Sequence, residues 1–245
     1  MKQNIYDNID FFEQYKALRA QENNYNNLLE KPNFFKLVPN VKDKIILDIG
    51  CGMGDFAAIC IKQGAKHVTG IDISANMIAM ARSLHANENL SFEQVAFEDV
   101  AVPAASIDFI SSSLAFHYIA EFSPLIEKIS LTLCSGGILL FSIQHPIVTA
   151  SKNQKGWCLD KGKNLVHYAV DDYQSEGLRK LHWFVEGVEM YHHTFSTIVN
   201  TLIEHGLQIE KIIEPKPTEE AISQLPKIQK ELRRPSFLIV RARKA

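Results

Sequence analysis

The sequence predicts an α/β protein organised on a doubly wound, mostly parallel sheet. Three observations carry the prediction. Short apolar runs rich in β-branched residues fall at 44–49, 67–73, 90–95, 107–113 and 137–144, and segments of helical periodicity separate them. The first run ends at Asp48 and Ile49 and passes into glycines at alternate positions, Gly50, Gly52 and Gly54, ahead of a helical segment at 54–64. Strand–helix units repeated in this way call for parallel strands, right-handed crossovers and helices on both faces of the sheet.

Chain length and composition set the frame for these elements. At 245 residues, 46% apolar and 22% charged, the chain is long enough for one large domain or one and a half. A net charge of −2 provides no general attraction to nucleic acid or to an anionic membrane, which argues against a nucleic-acid partner. No apolar run approaches the roughly 18 residues of a membrane span, and residues 1–10 are too polar for a secretory leader; the expected location is the cytoplasm. Cys51, Cys60, Cys134 and Cys158 form no C-x-x-C pair and no zinc-finger spacing, so free thiols in a reducing compartment are expected and no metal site. Cys51 lies in the glycine loop, where a helix N-terminus can stabilise a thiolate or the slot between two glycines can simply pack backbone.

Residues 1–43 read as a helical flap. Phe11, Phe12, Tyr15 and Leu18 recur at helical spacing, with Arg19 one turn beyond Tyr15. This face either packs on the core or covers a ligand, in which case the Arg19 fork is available to a carboxylate. Pro32 and Pro39 punctuate the link to the first strand. The glycine loop needs backbone at positive φ or a ligand passing close by, and the helix behind it directs free N–H groups and its positive dipole end into the loop.

The dinucleotide pattern G-x-G-x-x-G fails here, because the third glycine would fall at position 55, where the chain has Asp55. Asp72, at the end of the second strand, lies 18 residues beyond Gly54. Nucleotide-binding βαβ units place an acid for the ribose hydroxyls at about that interval; a helix-capping role is the alternative, although Ser74 can supply the cap. Met77, one turn into the next helix, has a flexible thioether suited to packing on an adenine face. The fourth strand leads into Ser113-Leu114-Ala115-Phe116-His117-Tyr118, at the edge where open α/β sheets bind ligands. A helix at 121–134, stopped by Gly136-Gly137, precedes the fifth strand.

The alternation then breaks. Residues 145–192 contain two expected short strands, 165–170 and 181–190, and form a candidate substrate cap. Trp157, Tyr168, Tyr173, Trp183 and Phe184 are either its walls or its own small core. A helix starting at Thr194 or Ser196 and closing at His205-Gly206, followed by strands at 207–214 and 237–243, completes the chain over 193–245. Lys227, Lys230, Arg233 and Arg234 read as a solvated face.

Asp48, Gly50, Gly52 and Gly54, with Asp72 and the fourth-strand tail in this order, resemble class I S-adenosylmethionine-dependent methyltransferases over residues 44–144. Residues 1–43 resemble the aromatic-and-arginine leader of small-molecule members. The resemblance implies a Rossmann-like, seven-stranded, mostly parallel sheet, with the antiparallel last strand beside the fifth and N-terminal helices and a cap added. It also implies S-adenosyl-L-methionine as cofactor, bound by Tyr15, Arg19, Asp48, Gly50, Gly52, Gly54, Asp72, Ile73, Met77, Phe97, Glu98, Ser113 and Leu114. The family commonly has an acid at the adenine turn, at the position that aligns with Ala96; here Phe97 N–H and the Glu98 carboxylate stand in for it. No Asn/Asp-Pro-Pro-aromatic run and no Pro-Cys pair follows the fourth strand, so the resemblance is to enzymes acting on small molecules rather than DNA bases.

In such enzymes a methyl group passes in line to an O, N or S nucleophile of the acceptor. Positioning supplies most of the rate, and a base is needed when the nucleophile carries a proton. His117, His145 and His193 follow the fourth strand, the fifth strand and the cap, and are the candidate bases. The competing expectations are an RNA or protein methyltransferase, or a binding protein of the same fold without catalysis. Monomer and homodimer remain equally open.

Overall fold

The structure, a computed structural model, describes residues 3–153 and 156–245. Its centre is a sheet built from β1 (Ile45–Ile49), β2 (His67–Asp72), β3 (Leu90–Gln94), β4 (Ile107–Ser113) and β5 (Leu133–Gln144). The cap contributes β6 (Trp157–Leu159), β7 (Leu165–Tyr168), β8 (Gly177–Trp183) and β9 (Val185–His192), and the chain ends with β10 (Leu207–Ile213) and β11 (Phe237–Lys244). The helices are α1 (Ile9–Ala20), α2 (Lys31–Phe35), α3 (Asp55–Lys62), α4 (Ala75–Leu84), α5 (Phe122–Thr132), α6 (Pro146–Thr149), α7 (Phe195–Glu204) and α8 (Glu219–Gln224).

The seven-stranded sheet has the order β10-β11-β5-β4-β1-β2-β3. β11 alone runs antiparallel to its neighbours, inserted between β5 and β10, as expected. Strand periodicity explains the two cores. Leu47, Ile49, Ile110, Leu139 and Phe141 face α5 and α7, whereas Ile46, Val68, Phe109 and Leu140 face α3 and α4. Each of these side chains is almost fully buried and contributes roughly 1.5–3 kcal/mol. Side-chain caps start the helices where the sequence offers them: Asn8 accepts from Phe11 N, Ser74 from Met77 N and Thr194 from Thr197 N. Among the described residues, no helix is long and apolar enough to cross a membrane.

The β3-to-β4 crossover, residues 95–106, is a loop with turns at 97–99 and 104–105. Two local expectations are corrected. Gly136 and Gly137 lie inside β5, where the register with β4 shifts and Gly136 takes φ 75°; they form an irregularity in the strand, and α5 already ends at Thr132. The expected strand at 181–190 is the turn and flanks of a β8–β9 hairpin, reversed at Phe184 with φ 61°. An aromatic run with alternating polarity looks continuous in sequence, and only the pairing reveals the turn.

Candidate functional site

The β1–α3 loop is tied to β2 by backbone: Gly50 N and Cys51 N both donate to Ile71 O, at 2.8 and 3.0 Å. Gly50 has φ 70°, and a Cβ there would collide with the Ala115 Cβ. Gly52, at φ 54°, has nothing within 4 Å of that position, so its Cα faces open space. Its N–H donates to Asp72 Oδ2 at 3.1 Å, and Ser74 N donates to Oδ1 at 2.9 Å. Asp72 is thus fixed at the tip of β2 by two backbone donors, and it lines the cavity described below.

The N-terminal segment closes over this loop. Asp7 accepts from Ser74 Oγ (2.6 Å), Asn76 N (3.1 Å) and Ala75 N (3.2 Å) at the start of α4, where the helix dipole favours an anion. Those hydrogen bonds outweigh the desolvation of the carboxyl and lower its pKa. Gln3 exchanges hydrogen bonds with Gly187 O and Glu189 N of β9, each 2.8 Å long. The segment therefore bridges α4 and the cap, with Tyr6 beneath it. Tyr6 packs edge-on against Tyr15 at 5.0 Å, and its hydroxyl lies 3.4 Å from that of Tyr118. Trp183 closes the group, 6.1 Å from Tyr15 and 5.1 Å from Phe11.

Beneath these aromatics lies a cavity of about 530 Å³, within the usual range for small-molecule sites. Of the sequence-derived positions, Tyr15, Arg19, Asp48, Gly50, Gly52, Asp72, Ile73, Met77, Phe97, Glu98, Ser113 and Leu114 line it. Gly54 is not a lining residue; its missing side chain leaves room for the Phe92 ring and Ala81, so this glycine serves helix–strand packing. His117 lines the cavity, but His145 and His193 do not. Both His145 ring nitrogens are engaged: Nδ1 accepts from Ile147 N at 3.2 Å, capping α6, and Nε2 lies 2.9 Å from Glu214 Oε1. His193 stacks near Phe122 at 5.3 Å, with Nε2 3.4 Å from Ile119 O.

Only Trp183 among the five named cap aromatics lines the cavity. Phe184 stacks on Trp183 at 5.3 Å, while Tyr173 accepts from Phe195 N at 3.0 Å. Trp157 and Tyr168 lie under arginines: Arg233 is 5.0 Å from the Trp157 ring and Arg234 is 4.5 Å from the Tyr168 ring. Arg233 also donates to Leu165 O and Val166 O at 3.0 and 2.6 Å. These two arginines hold the β6–β7 hairpin down; Arg234 is buried, which corrects its reading as part of a solvated face, whereas Arg233 stays exposed. Tyr118 lines the cavity within the tail expected at the ligand edge, and Tyr6 and Glu30 line it from outside the expected set. An acid following two leucines in Leu28-Leu29-Glu30 was the available signal for Glu30; Tyr6 had none.

Electrostatics inside the cavity follow from burial. Asp48 receives the Ser111 hydroxyl at 2.6 Å, yet desolvation pushes its pKa up from 3.8 to about 7. Burial also raises Asp72, against the hydrogen bonds from Ser74 and Gly52. His117 is driven down from 6.5 to about 3 by burial, so its ring is neutral near pH 7. Glu30 is fully buried; its Oε1 accepts from Ser142 Oγ at 2.6 Å and from Ser113 Oγ at 3.0 Å. Its Oε2 and Arg19 Nη1 are buried without a hydrogen-bond partner. An adenosyl amino acid fits this donor set: the Asp72 carboxylate suits vicinal hydroxyls, the open face of Gly52 leaves room for close approach, and the unsatisfied Arg19 Nη1 suits a carboxylate.

Comparison with known proteins is consistent with this geometry. The family described as "Methyltransferase domain" matches residues 47–141. An uncharacterized protein of Haemophilus influenzae is 36% identical over 253 residues, covering 99% of this chain and 98% of its own. The crystal structure of a candidate S-adenosylmethionine dependent methyltransferase from Listeria monocytogenes superposes with TM-score 0.83 at 38% identity, covering 88% of this chain and 96% of that one. An S-adenosylmethionine dependent methyltransferase from Mesorhizobium loti gives 0.82 at 35% identity, with 88% and 97% covered. Shorter matches reach protein arginine, ubiquinone biosynthesis and phosphoethanolamine methyltransferases, of whose lengths the chain spans 28%, 49% and 23% in three examples.

Proposed function

Because the chain belongs to the S-adenosylmethionine-dependent methyltransferases, we propose that it transfers the cofactor's methyl group to an O, N or S nucleophile of a small molecule held in the same cavity. The observation that carries this reading is the enclosure: Tyr6, Tyr15, Tyr118 and Trp183 roof the tips of β1, β2 and β4. A compact, partly apolar acceptor suits that aromatic chamber, and an RNA helix or a folded protein surface does not. The cofactor, when bound, supplies an electrophilic methyl on a sulfonium. The chain's own residues orient and exclude: Asp72 takes the ribose hydroxyls, Arg19 the carboxylate, and Met77 and Phe97 flank the base. The tyrosine roof keeps water from the nucleophile.

His117 is the histidine placed to meet the acceptor. Its low pKa makes it a hydrogen-bond acceptor rather than a strong base, so positioning carries most of the catalysis. We assign residues 3–43 and the 145–192 insertion as the two halves of the cover over a 44–144 cofactor unit, with 193–245 completing the sheet.

Titration calorimetry with S-adenosylhomocysteine, and with NAD as control, tests the cofactor half. Replacing Asp72 by Asn should weaken S-adenosylhomocysteine about 10- to 100-fold, the value of a charge-assisted hydrogen bond of roughly 1.5–3 kcal/mol. Undiminished binding would remove Asp72 from the site. Incubation of the protein and S-adenosylmethionine with a metabolite extract tests the acceptor half. Production of S-adenosylhomocysteine only when RNA or protein is supplied would overturn the small-molecule reading.

A further inference from the structure

Glu30 and Arg19 line the cavity, and among the described residues Glu30 Oε2 and Arg19 Nη1 are buried without a hydrogen-bond partner. Desolvated charged groups without partners are costly, and among the described residues neither side chain has an ion pair within 4 Å. Arg19 is assigned above to a carboxylate. Glu30 has no assignment from the motif, yet it is the more completely buried of the two.

Its setting is that of a built subsite. The chain turns at Asn26–Glu30 into α2, and Leu29 anchors the turn against Ile228 and Phe237. That anchoring points Glu30 back over the sheet, where hydroxyls from the ends of β4 (Ser113) and β5 (Ser142) both donate to Oε1. One carboxylate oxygen is therefore saturated and oriented, and the other is left without a hydrogen-bond partner beside the cavity. Arg19 and Lys31 act on the carboxyl only through space, and burial holds its pKa above the ordinary carboxylate range despite them. A ligand with a cationic donor would complete the set.

We infer that Glu30 is an ammonium-binding residue, its Oε2 receiving a primary ammonium group of a molecule in the cavity. Two sources share that chemistry, the α-ammonium of the cofactor's amino acid tail and an amine on the acceptor. With the cofactor as source, Glu30 and Arg19 together read both ends of a zwitterion. The inference rests on the methyltransferase reading in that a cofactor or its acceptor occupies this space.

Glu30→Gln is the test, because Gln keeps an Oε1 acceptor for both serines at nearly unchanged shape. Urea unfolding should show the variant no less stable than the wild type. Calorimetry then compares S-adenosylhomocysteine with 5′-S-(3-carboxypropyl)-5′-thioadenosine, which retains the carboxylate and lacks the ammonium. An ammonium role toward the cofactor weakens the first ligand about 10- to 100-fold in the variant and leaves the second unchanged. An acceptor role leaves S-adenosylhomocysteine unchanged and abolishes uptake of ethanolamine or butylamine by the protein saturated with it. Equal weakening of both adenosyl ligands makes Glu30 a structural support and overturns the inference, as does no change in any of them. Failure of the wild type to bind S-adenosylhomocysteine would strike the cofactor reading first and the inference with it.

Discussion

Gly50 and Gly52 occupy the same loop and the same motif, but the structure gives them different work, and alanine at each should fail differently. Both have positive φ, 70° and 54°, which costs an alanine about 1–2 kcal/mol. At Gly50 the new methyl also meets the Ala115 Cβ, adding about 1–3 kcal/mol of overpacking. Gly50→Ala should therefore lose roughly 2–5 kcal/mol of stability. With a urea slope of about 1–3 kcal/mol per molar, its unfolding midpoint drops by about 1 M or more. At Gly52 nothing lies within 4 Å of the added atom, so stability falls only by the backbone term. The methyl instead occupies space a ligand needs, and S-adenosylhomocysteine should bind at least about tenfold more weakly, which is about 1.4 kcal/mol. Urea unfolding followed by circular dichroism and calorimetry on each variant decide the matter. Equal unfolding midpoints, or wild-type affinity in Gly52→Ala, would refute the division of labour.

Other perturbations follow from the same geometry. Asp48 releases a proton on unfolding between its ordinary 3.8 and its folded value of about 7. Stability from this group is therefore complete below about pH 4 and lost as pH rises to about 7, on the order of 4 kcal/mol in all. Asp48→Asn removes that dependence: its unfolding free energy relative to wild type should improve from about pH 4.5 to about pH 8, and a constant difference would show that the carboxyl is not held protonated. Asp7→Ala removes the acceptor for Ser74 Oγ, Ala75 N and Asn76 N, costing about 1 kcal/mol at the α4 terminus. The freed Tyr6 segment should speed S-adenosylhomocysteine release in stopped-flow displacement; an unchanged release rate would show that the segment does not retain the ligand.

Local sequence was sufficient for the strand-to-glycine-loop unit, the acid at the tip of β2 and the five-strand alternation. Each depends on backbone rules acting over a few residues: a β-branched run, a positive-φ position, a cap. The family resemblance supplied the antiparallel β11 and the cofactor. What tertiary structure decided was the use made of residues far apart in the chain. Among the histidines expected near the reacting edge, only His117 reaches the cavity, because Glu214 and the α6 terminus engage His145. Gly54 and Gly52 look alike in the motif, and packing against Phe92 separates them. Tyr6 and Glu30 enter the site through folding of the N-terminal segment onto α4 and of Leu29 onto the β11 side. Pairing and burial of that kind depend on which surfaces meet in space, and periodicity along the chain carries no record of it.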